Sequence, residues 1–160
     1  MQLPPALEEK FTTLLGRYPV KRSALIPMMM YSQDHFGFLS DELLADIALR
    51  LDLRMTEVTE TLAYYSMLRR KPVGKYHIQV CTNISCMLRG ANELYAHVQK
   101  RLGIGNREVS PSGTFSLEEV ECIGACSWAP AMMLNYEFHE NLTTEKIDQL
   151  ITSLKKKESQ

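Results

Sequence analysis

Residues 76–103 read YHIQVCTNISCMLRGANELYAHVQKRLG, and this stretch decides the fold of the second half of the chain. Its first residues alternate in polarity, which predicts a β-strand that ends at Cys81. The residues from Met87 to Leu102 then place apolar side chains at helical spacing, and Gly103 suits the end of a helix. A strand that leads directly into a helix indicates an α/β domain.

Downstream of this stretch, the pattern predicts a second strand and a hairpin. Residues 104–113 are rich in Gly, Ser and Pro, which predicts a loop. Residues 114–122 have strand character with a change of phase at residues 118–119, so we expect a bulge or a break there. Residues 131–142 have the pattern of a hairpin, and a last helix begins at residue 143 or 144. This order predicts helices packed against a mixed sheet.

Upstream, the first half of the chain contains only helical patterns. Residues 5–17 and residues 22–36 each place apolar side chains on one stripe. Ser40 is expected to cap a third helix and Thr56 a fourth, because a side-chain oxygen at the N-cap accepts from a free backbone N–H. We therefore predict a bundle of four helices.

The two halves meet at the turn signal KPVG, residues 71–74. We predict two domains, of which residues 1–72 form a helical bundle and residues 73–160 form an α/β domain with a mixed sheet. The predicted fold class is therefore α+β.

Composition and charge limit the functions open to the chain. Its 160 residues carry a net charge of −1 at pH 7, so no basic field indicates nucleic-acid binding. The longest apolar stretch, residues 25–31, is far shorter than the ~20 residues that a membrane-spanning helix needs. The N-terminal residues have the pattern of neither a secretory signal nor a transit peptide. We expect a soluble, cytoplasmic protein without direct membrane insertion.

The cysteines carry the strongest functional signal. Cys81 and Cys86 have the spacing C-x4-C, and Cys122 and Cys126 have the spacing C-x3-C. Thiols stay reduced in the cytosol, so the four cysteines indicate metal or redox chemistry before disulfides. Each pair is expected where a strand ends, with Cys81 closing the first strand and Cys122 the second. Gly124 lets the chain turn tightly between the two later cysteines.

Three other cysteine chemistries fit this spacing less well than a [2Fe–2S] cluster. Zinc prefers C-x2-C pairs, a thioredoxin-like dithiol needs C-x-x-C, and a Rieske centre needs two histidine ligands. His77 and His139 lie outside the cysteine loops, and we expect both to be surface residues of strands. Spacing therefore favours one [2Fe–2S] cluster, while a structural zinc protein and a regulatory ferredoxin-like module without redox activity stay open.

Two segments of the chain resemble a known family. CTNISCMLRGANEL (residues 81–94) and EEVECIGACSWAPAMMLN (residues 118–135) are similar to the two halves of the signature of thioredoxin-like [2Fe–2S] ferredoxins. The helical half joined to such a domain resembles the E subunits of bacterial respiratory NADH:quinone oxidoreductase, or complex I. The resemblance covers nearly the whole chain. One departure, SPSG at residues 110–113, lies in an expected surface loop.

The resemblance implies a cofactor, a fold and partners. The four family ligands fall on Cys81, Cys86, Cys122 and Cys126, which would hold one [2Fe–2S] cluster in a thioredoxin-like domain. The sites for flavin mononucleotide (FMN) and NADH would belong to a partner F subunit, so no catalytic residue is expected here. With further complex I subunits, the chain would lie on the cytoplasmic side of the inner membrane. The same electron-transfer module in a soluble NAD-linked hydrogenase or formate dehydrogenase is the alternative.

The residues themselves contain no complete dinucleotide-binding motif. The nearest candidate, GIGNRE at residues 103–108, ends a helix and has Glu108 where the third glycine is required. We therefore expect the hydride chemistry on another chain.

Overall fold

A computed structural model describes residues 2–158 of the chain. The chain divides into two compact units, with the boundary between Pro72 and Val73. The first unit is helical, and the second contains a mixed five-stranded sheet with helices. The predicted α+β class, a helical half followed by a mixed sheet, is confirmed. Among the described residues, no helix is both long enough and apolar enough to span a bilayer.

Within residues 2–72, the first unit is built from four α-helices. These are α1 (Pro5–Arg17), α2 (Leu25–Phe36), α3 (Asp41–Leu51) and α4 (Met55–Tyr64). The apolar stripes that the helical period predicts form the core of this unit. Its most deeply buried side chains are Phe11, Ala24, Met28, Met29, Leu39, Leu43, Leu44, Ile47 and Val58.

The second helix starts later than the sequence predicts. Residues 21–24 form a 3-10 turn, and α2 begins at Leu25 instead of residue 22. Pro27 lies in the first turn of α2, where its missing N–H costs no hydrogen bond, so this proline sets the start of the helix. Gly37, at φ +82°, ends α2 as predicted.

The predicted cap of α3 is confirmed, whereas the predicted cap of α4 is wrong. Ser40 caps α3 as predicted, since its Oγ accepts from the Leu43 N–H at 3.3 Å. The predicted Thr56 cap is wrong, because α4 starts earlier and its N-cap residue is Arg54. The Glu57 carboxylate accepts from the Arg54 N–H at 3.1 Å, so a side chain inside the helix satisfies the free donor.

The second unit combines strands and helices. In chain order it contains β1 (Tyr76–Cys81), α5 (Ile84–Leu88), α6 (Ala91–Leu102), β2 (Glu108–Val109), β3 (Phe115–Val120), β4 (Met132–Leu134), β5 (Glu137–His139) and α7 (Thr144–Glu158). The strand order is β2-β3-β1-β4-β5, in which β1 and β3 are parallel and the other pairs antiparallel. The predicted hairpin is β4–β5 and the predicted last helix is α7, so both are confirmed.

Strand β3 pairs with β1 without interruption, so the predicted break at residues 118–119 is wrong. Phe115, Ser116 and Leu117 are all buried, so both faces of β3 are covered. The polarity of a residue in this strand therefore does not indicate on which face of the sheet its side chain lies. The region predicted as a loop, residues 104–113, contains the short edge strand β2.

The helix predicted after β1 is two helices. α5 ends at Leu88 and α6 begins at Ala91, with Gly90 at φ +87° between them. A residue in the left-handed region cannot continue a helix, and glycine takes that conformation without steric cost. Met87 and Leu88 therefore leave the core stripe, and Leu88 is 76 % exposed. The predicted end at Gly103 is confirmed.

One face of the sheet carries the core of the second unit. Ile78 of β1 and Leu117 of β3 pack with apolar side chains of α6 and α7. Side chains alternate between the two faces along a strand, so His77, Gln79 and Cys81 lie on the opposite face. The direction in which Cys81 points is therefore set by the phase of β1.

Gly74 lies against the backbone of β3. A Cβ added there would meet the backbone carbonyl carbon of Phe115 and would come within 2.6 Å of the Ser116 nitrogen. These atoms belong to a paired strand and cannot move independently. We expect Gly74→Ala to lower the free energy of unfolding by about 1–3 kcal/mol through overpacking, as measured by urea unfolding.

Gly16→Ala is the matched control for this substitution. Gly16 lies in α1, where an added Cβ meets nothing within 4 Å. Alanine is favoured over glycine in helices by about 1 kcal/mol, so this variant should be as stable as the wild type or more stable. Equal stability of Gly74→Ala and the wild type would contradict the close approach of Gly74 to β3.

Candidate metal centre

The structure places the two predicted cysteine pairs after the carboxyl ends of neighbouring strands. Cys81 is the last residue of β1, and Cys86 lies in α5, the helix that follows. Cys122 lies beyond Val120, the last residue of β3, so the prediction that it closes this strand is wrong. Cys126 begins a short 3-10 turn. Because β1 and β3 are parallel, both cysteine loops leave the sheet at the same edge.

The two pairs differ in burial. Cys81 is 3 % exposed and Cys86 is 2 % exposed, whereas Cys122 and Cys126 are exposed. The buried side chains that pack around this pair are all alanines. The buried cluster consists of Cys81, Cys86, Ala91, Ala125, Ala129 and Ala131.

The buried pair contacts the loop that carries the exposed pair. The Cys81 thiol donates to the Glu121 carbonyl at 3.7 Å, next to Cys122 in the sequence. The Cys86 side chain is hydrogen-bonded to that of Cys81, and the backbone of Ala131 also contacts the Cys86 sulfur. Residues of both cysteine loops therefore meet at this edge of the sheet.

Burial sets the protonation of Cys86. Loss of hydration, and secondarily the hydrogen bond to Cys81, raises the pKa of the Cys86 thiol to about 11. Negative charge on Cys81 or Cys126 acts in the same direction. A metal ligand has to be the thiolate, and a cation at the sulfur atoms offsets the cost of that charge. The site is thus unfavourable for free thiolates and suited to a cationic centre that several sulfurs share.

The loop between Cys122 and Cys126 turns a backbone amide toward sulfur. Gly124 lies at φ +80°, a conformation that side chains with a Cβ rarely adopt, as the sequence predicts for this position. Its N–H donates to the Cys122 Sγ at 3.3 Å. Such N–H donors stabilise negative charge on the sulfur atoms of a metal centre.

The donor set fits an iron–sulfur cluster. A two-iron cluster takes two thiolates at each iron, and the chain offers its thiols as two pairs. The residues present therefore fit the group that the sequence predicts.

His77 is buried, so the prediction that it is a surface residue is wrong. It is 3 % exposed, its Nδ1 lies 2.8 Å from Ser116 Oγ, and its Nε2 lies 3.4 Å from Glu118 Oε2. Ser116 lies 39 residues further along the chain, so the contact has no local signal in the sequence. His139, at the end of β5, is partly exposed.

Exposed apolar side chains border the cysteines. Leu88 and Cys126 line the same cavity, which has a volume of about 350 Å³. Leu88 is 76 % exposed, Ile84 on the same short helix is 66 % exposed, and Trp128 is 52 % exposed. We call Ile84, Leu88 and Trp128 the apolar rim. The sequence pattern does not predict this surface, because it assigns Leu88 to the core stripe of a longer helix.

Comparison with known proteins places the chain among iron–sulfur proteins. The model of the family described as thioredoxin-like [2Fe-2S] ferredoxin matches residues 11–155, a range that includes both cysteine pairs and most of the helical unit.

Three relatives align with most of the chain. The NADH-quinone oxidoreductase E subunit numbered 2 in Rhizobium meliloti is 36 % identical over 149 residues, which are 93 % of this chain and 89 % of that protein. The NADH-quinone oxidoreductase subunit numbered 2 in Thermus thermophilus is 38 % identical over 152 residues, which are 93 % of this chain and 82 % of that protein. The NADH-quinone oxidoreductase E subunit of Mycobacterium tuberculosis is 36 % identical over 93 % of this chain, and the chain spans 59 % of its length.

A solved structure has a similar fold. An NAD+-reducing [NiFe]-hydrogenase in the air-oxidised state superposes with a TM-score of 0.72 at 19 % sequence identity. The superposition covers 84 % of this chain and 23 % of the hydrogenase chain. At this identity the likeness is one of fold.

The conformation of Gly124 makes a testable prediction. An added Cβ would meet nothing within 4 Å, so the only cost of Gly124→Ala is its positive φ, about 1–2 kcal/mol. Because that strain falls on the loop between two cysteines, we expect the variant to retain less iron than the wild type. Iron content per chain after purification measures the effect.

Gly113→Ala is the control for Gly124→Ala. Gly113 has a similar φ of +71° and equally open surroundings, but it lies in the turn before β3 and outside both cysteine loops. It should be destabilised to a similar degree and should keep its iron. Equal iron contents in the two variants would argue against a role of the Gly124 conformation in the site.

Proposed function

The chain belongs to the thioredoxin-like [2Fe–2S] ferredoxin family, and from this premise we propose that it is the E-type electron-transfer subunit of an NADH:quinone oxidoreductase. In this proposal Cys81, Cys86, Cys122 and Cys126 hold one [2Fe–2S] cluster. The observation that carries it is the meeting of the two cysteine loops at the carboxyl ends of β1 and β3. As part of the complex, the chain would lie at the cytoplasmic side of the membrane.

The residues of this chain set the conditions for electron transfer. When bound, a [2Fe–2S] cluster supplies one-electron chemistry. Cys81 and Cys86 lie in a buried cluster and so exclude water from one side of the site. The Gly124 N–H, which donates to the Cys122 sulfur, stabilises negative charge on the exposed side. The buried side and the exposed side of the site thus differ in contact with water and in accessibility to another protein.

The proposal assigns hydride transfer from NADH to a partner. Gly103 ends α6 at φ +68°, and the Gly105 N–H donates to the Glu108 carboxylate at 2.6 Å. This segment therefore closes a helix and leads into β2, whereas a dinucleotide fingerprint opens a helix after a strand. FMN, NADH and the catalytic residues belong in this proposal to a flavoprotein partner, which exchanges single electrons with the cluster.

The apolar rim is the surface proposed for this partner. Leu88 of this rim lines the same cavity as Cys126, one of the two exposed cysteines, so a protein bound there would approach the cluster from its accessible side. Electron transfer requires close approach, and exposed apolar side chains favour association with another protein. In this proposal, recognition and electron exchange therefore occur at the same edge of the sheet.

The alternatives predict different measurements. A structural zinc protein would use the same cysteines but would be colourless and would give no EPR signal after reduction. The same module in a soluble NAD-linked hydrogenase would hold the same cluster and would co-purify with hydrogenase subunits. Purification of the native complex, with identification of its subunits and its flavin, distinguishes complex I from the hydrogenase.

Replacement of the cysteines tests the ligand assignment. We expect the single variants Cys81→Ala, Cys86→Ala, Cys122→Ala and Cys126→Ala each to lose the cluster, because each removes one ligand of an iron. The measurements are iron and acid-labile sulfide per chain and the EPR signal after dithionite reduction.

Ser127→Ala is the control for these variants, because Ser127 lines the same cavity as Cys126 without offering a thiolate. It should keep the full iron and sulfide content. A wild-type protein that contains zinc and neither iron nor sulfide would contradict the assignment.

A charge in the apolar rim tests the partner surface. We expect Leu88→Glu to keep the cluster and to weaken binding of the flavoprotein partner about tenfold, which corresponds to about 1.4 kcal/mol. The measurement is the dissociation constant of the two subunits. Leu49→Glu is the control, since Leu49 is 82 % exposed on α3 in the helical unit. Equal affinities of the two variants would contradict the proposed surface.

A further inference from the structure

A buried polar row runs along the sheet face that carries Cys81. His77, Gln79 and Cys81 alternate on this face of β1, opposite Ser116 and Glu118 of β3. His77 is 3 % exposed, Gln79 is 8 % exposed and Ser116 is 2 % exposed. The proposed function uses Cys81 but gives no role to His77 and Glu118, the titratable members of the row.

Close polar contacts join the members of the row. Ser116 Oγ lies 2.8 Å from His77 Nδ1, and Glu118 Oε2 lies 3.4 Å from His77 Nε2. The same Glu118 oxygen accepts from the Gln79 amide at 3.1 Å. The row is therefore continuous from His77 to Gln79, the neighbour of Cys81 on this face.

Both ring nitrogens of His77 face an acceptor. An imidazolium donates from both nitrogens. Ser116 Oγ lies within hydrogen-bond distance of Nδ1, whereas Nε2 is buried without a hydrogen bond and has the Glu118 carboxylate as its nearest anion, at 3.4 Å. The His77 ring in turn is the main cause that holds the pKa of the Glu118 carboxyl below its usual range. Glu118 is therefore ionised at neutral pH and can balance a proton on His77.

Other charged and polar groups complete the surroundings. Arg107, in the loop before β2, pairs with the second Glu118 oxygen at 3.2 Å and is 77 % exposed. Asn135, which follows β4, is uncharged, and its Oδ1 accepts from the His77 backbone N–H at 2.9 Å. The Glu118 side chain is 16 % exposed, so the row reaches solvent at this carboxylate and a proton can enter and leave there.

We propose that His77 binds one proton when the chain takes up one electron, an inference that rests on the proposed cluster at Cys81 and the other cysteines. The electron comes from the reduced flavin of the partner and the proton from water, so the net charge of the buried region stays constant. When the electron leaves, the proton returns to water. Cys81 lies four residues after His77, a distance of about 13 Å along the strand. At such a distance, the interaction between two buried charges is screened less than it would be in water.

The proposal makes the redox potential depend on pH. The reduced cluster is more negative than the oxidised one, so reduction favours proton uptake by His77. The midpoint potential of the wild type should therefore fall as pH rises across the range in which His77 takes up the proton. EPR-monitored redox titrations of the cluster-loaded protein at several pH values measure this dependence.

Two variants assign the dependence to His77. His77→Gln keeps a polar side chain that takes up no proton in this range, so its midpoint potential should vary less with pH. His97→Gln is the matched control, because His97 pairs with Asp148 at 3.1 Å between α6 and α7 and is not part of the row. This control should keep the wild-type pH dependence. A His77→Gln protein with the wild-type dependence would overturn the proposal.

Glu118→Gln provides an independent test. It removes the carboxylate that faces Nε2, so the pH-dependent range should move to lower pH. If His77→Gln fails to bind the cluster, the wild type is compared with Glu118→Gln instead. If the midpoint potential varies over the same pH range in both proteins, the proposal is overturned. A wild-type midpoint potential that is independent of pH also overturns it. A wild type without any EPR signal would overturn the proposed function instead, so the two failures are distinguishable.

Discussion

β1 and β3 run parallel and pair along the full length of both strands. Parallel strands end at the same edge of a sheet, so the loop after Cys81 and the loop after Val120 begin side by side. This is how two cysteine loops that are far apart in the sequence come to the same edge of the sheet. A shift of the register by one residue would turn Cys81 toward α6 and α7, and the buried pair would be lost. The candidate site therefore depends on this register before it depends on any single contact of a thiol.

The same arrangement gives the site one closed side and one open side. Gly90 separates α5 from α6, so Cys86 can face the interior while α6 follows a direction of its own and packs on the sheet. Ile84 and Leu88, on the same short helix as Cys86, then face outward. In the proposed function, the closed side keeps water from part of the cluster and the open side admits the partner. The break at Gly90 makes this difference between the two sides possible.

Local chemistry explains which parts of this fold the sequence predicts correctly. The cap at Ser40 and the helix end at Gly103 are right because a cap involves only a few neighbouring residues. The break at Gly90 is missed, because apolar residues continue the helical period across it and the glycine alone does not reveal its conformation. Assigning Leu88 to the core then hides the apolar rim.

The burial of His77 is missed for a different reason, and this residue lies on the same face of the sheet as Cys81. His77 is expected at the surface because a polar side chain is costly to bury without partners. Here Ser116 and Glu118 supply partners from a distant part of the chain, so no local pattern can show that the cost is offset. An apolar row of the same volume would pair these strands equally well, as it does on the face covered by helices. The polar row therefore depends on pairing between β1 and β3 that only the fold brings about, on the same face of the sheet as Cys81.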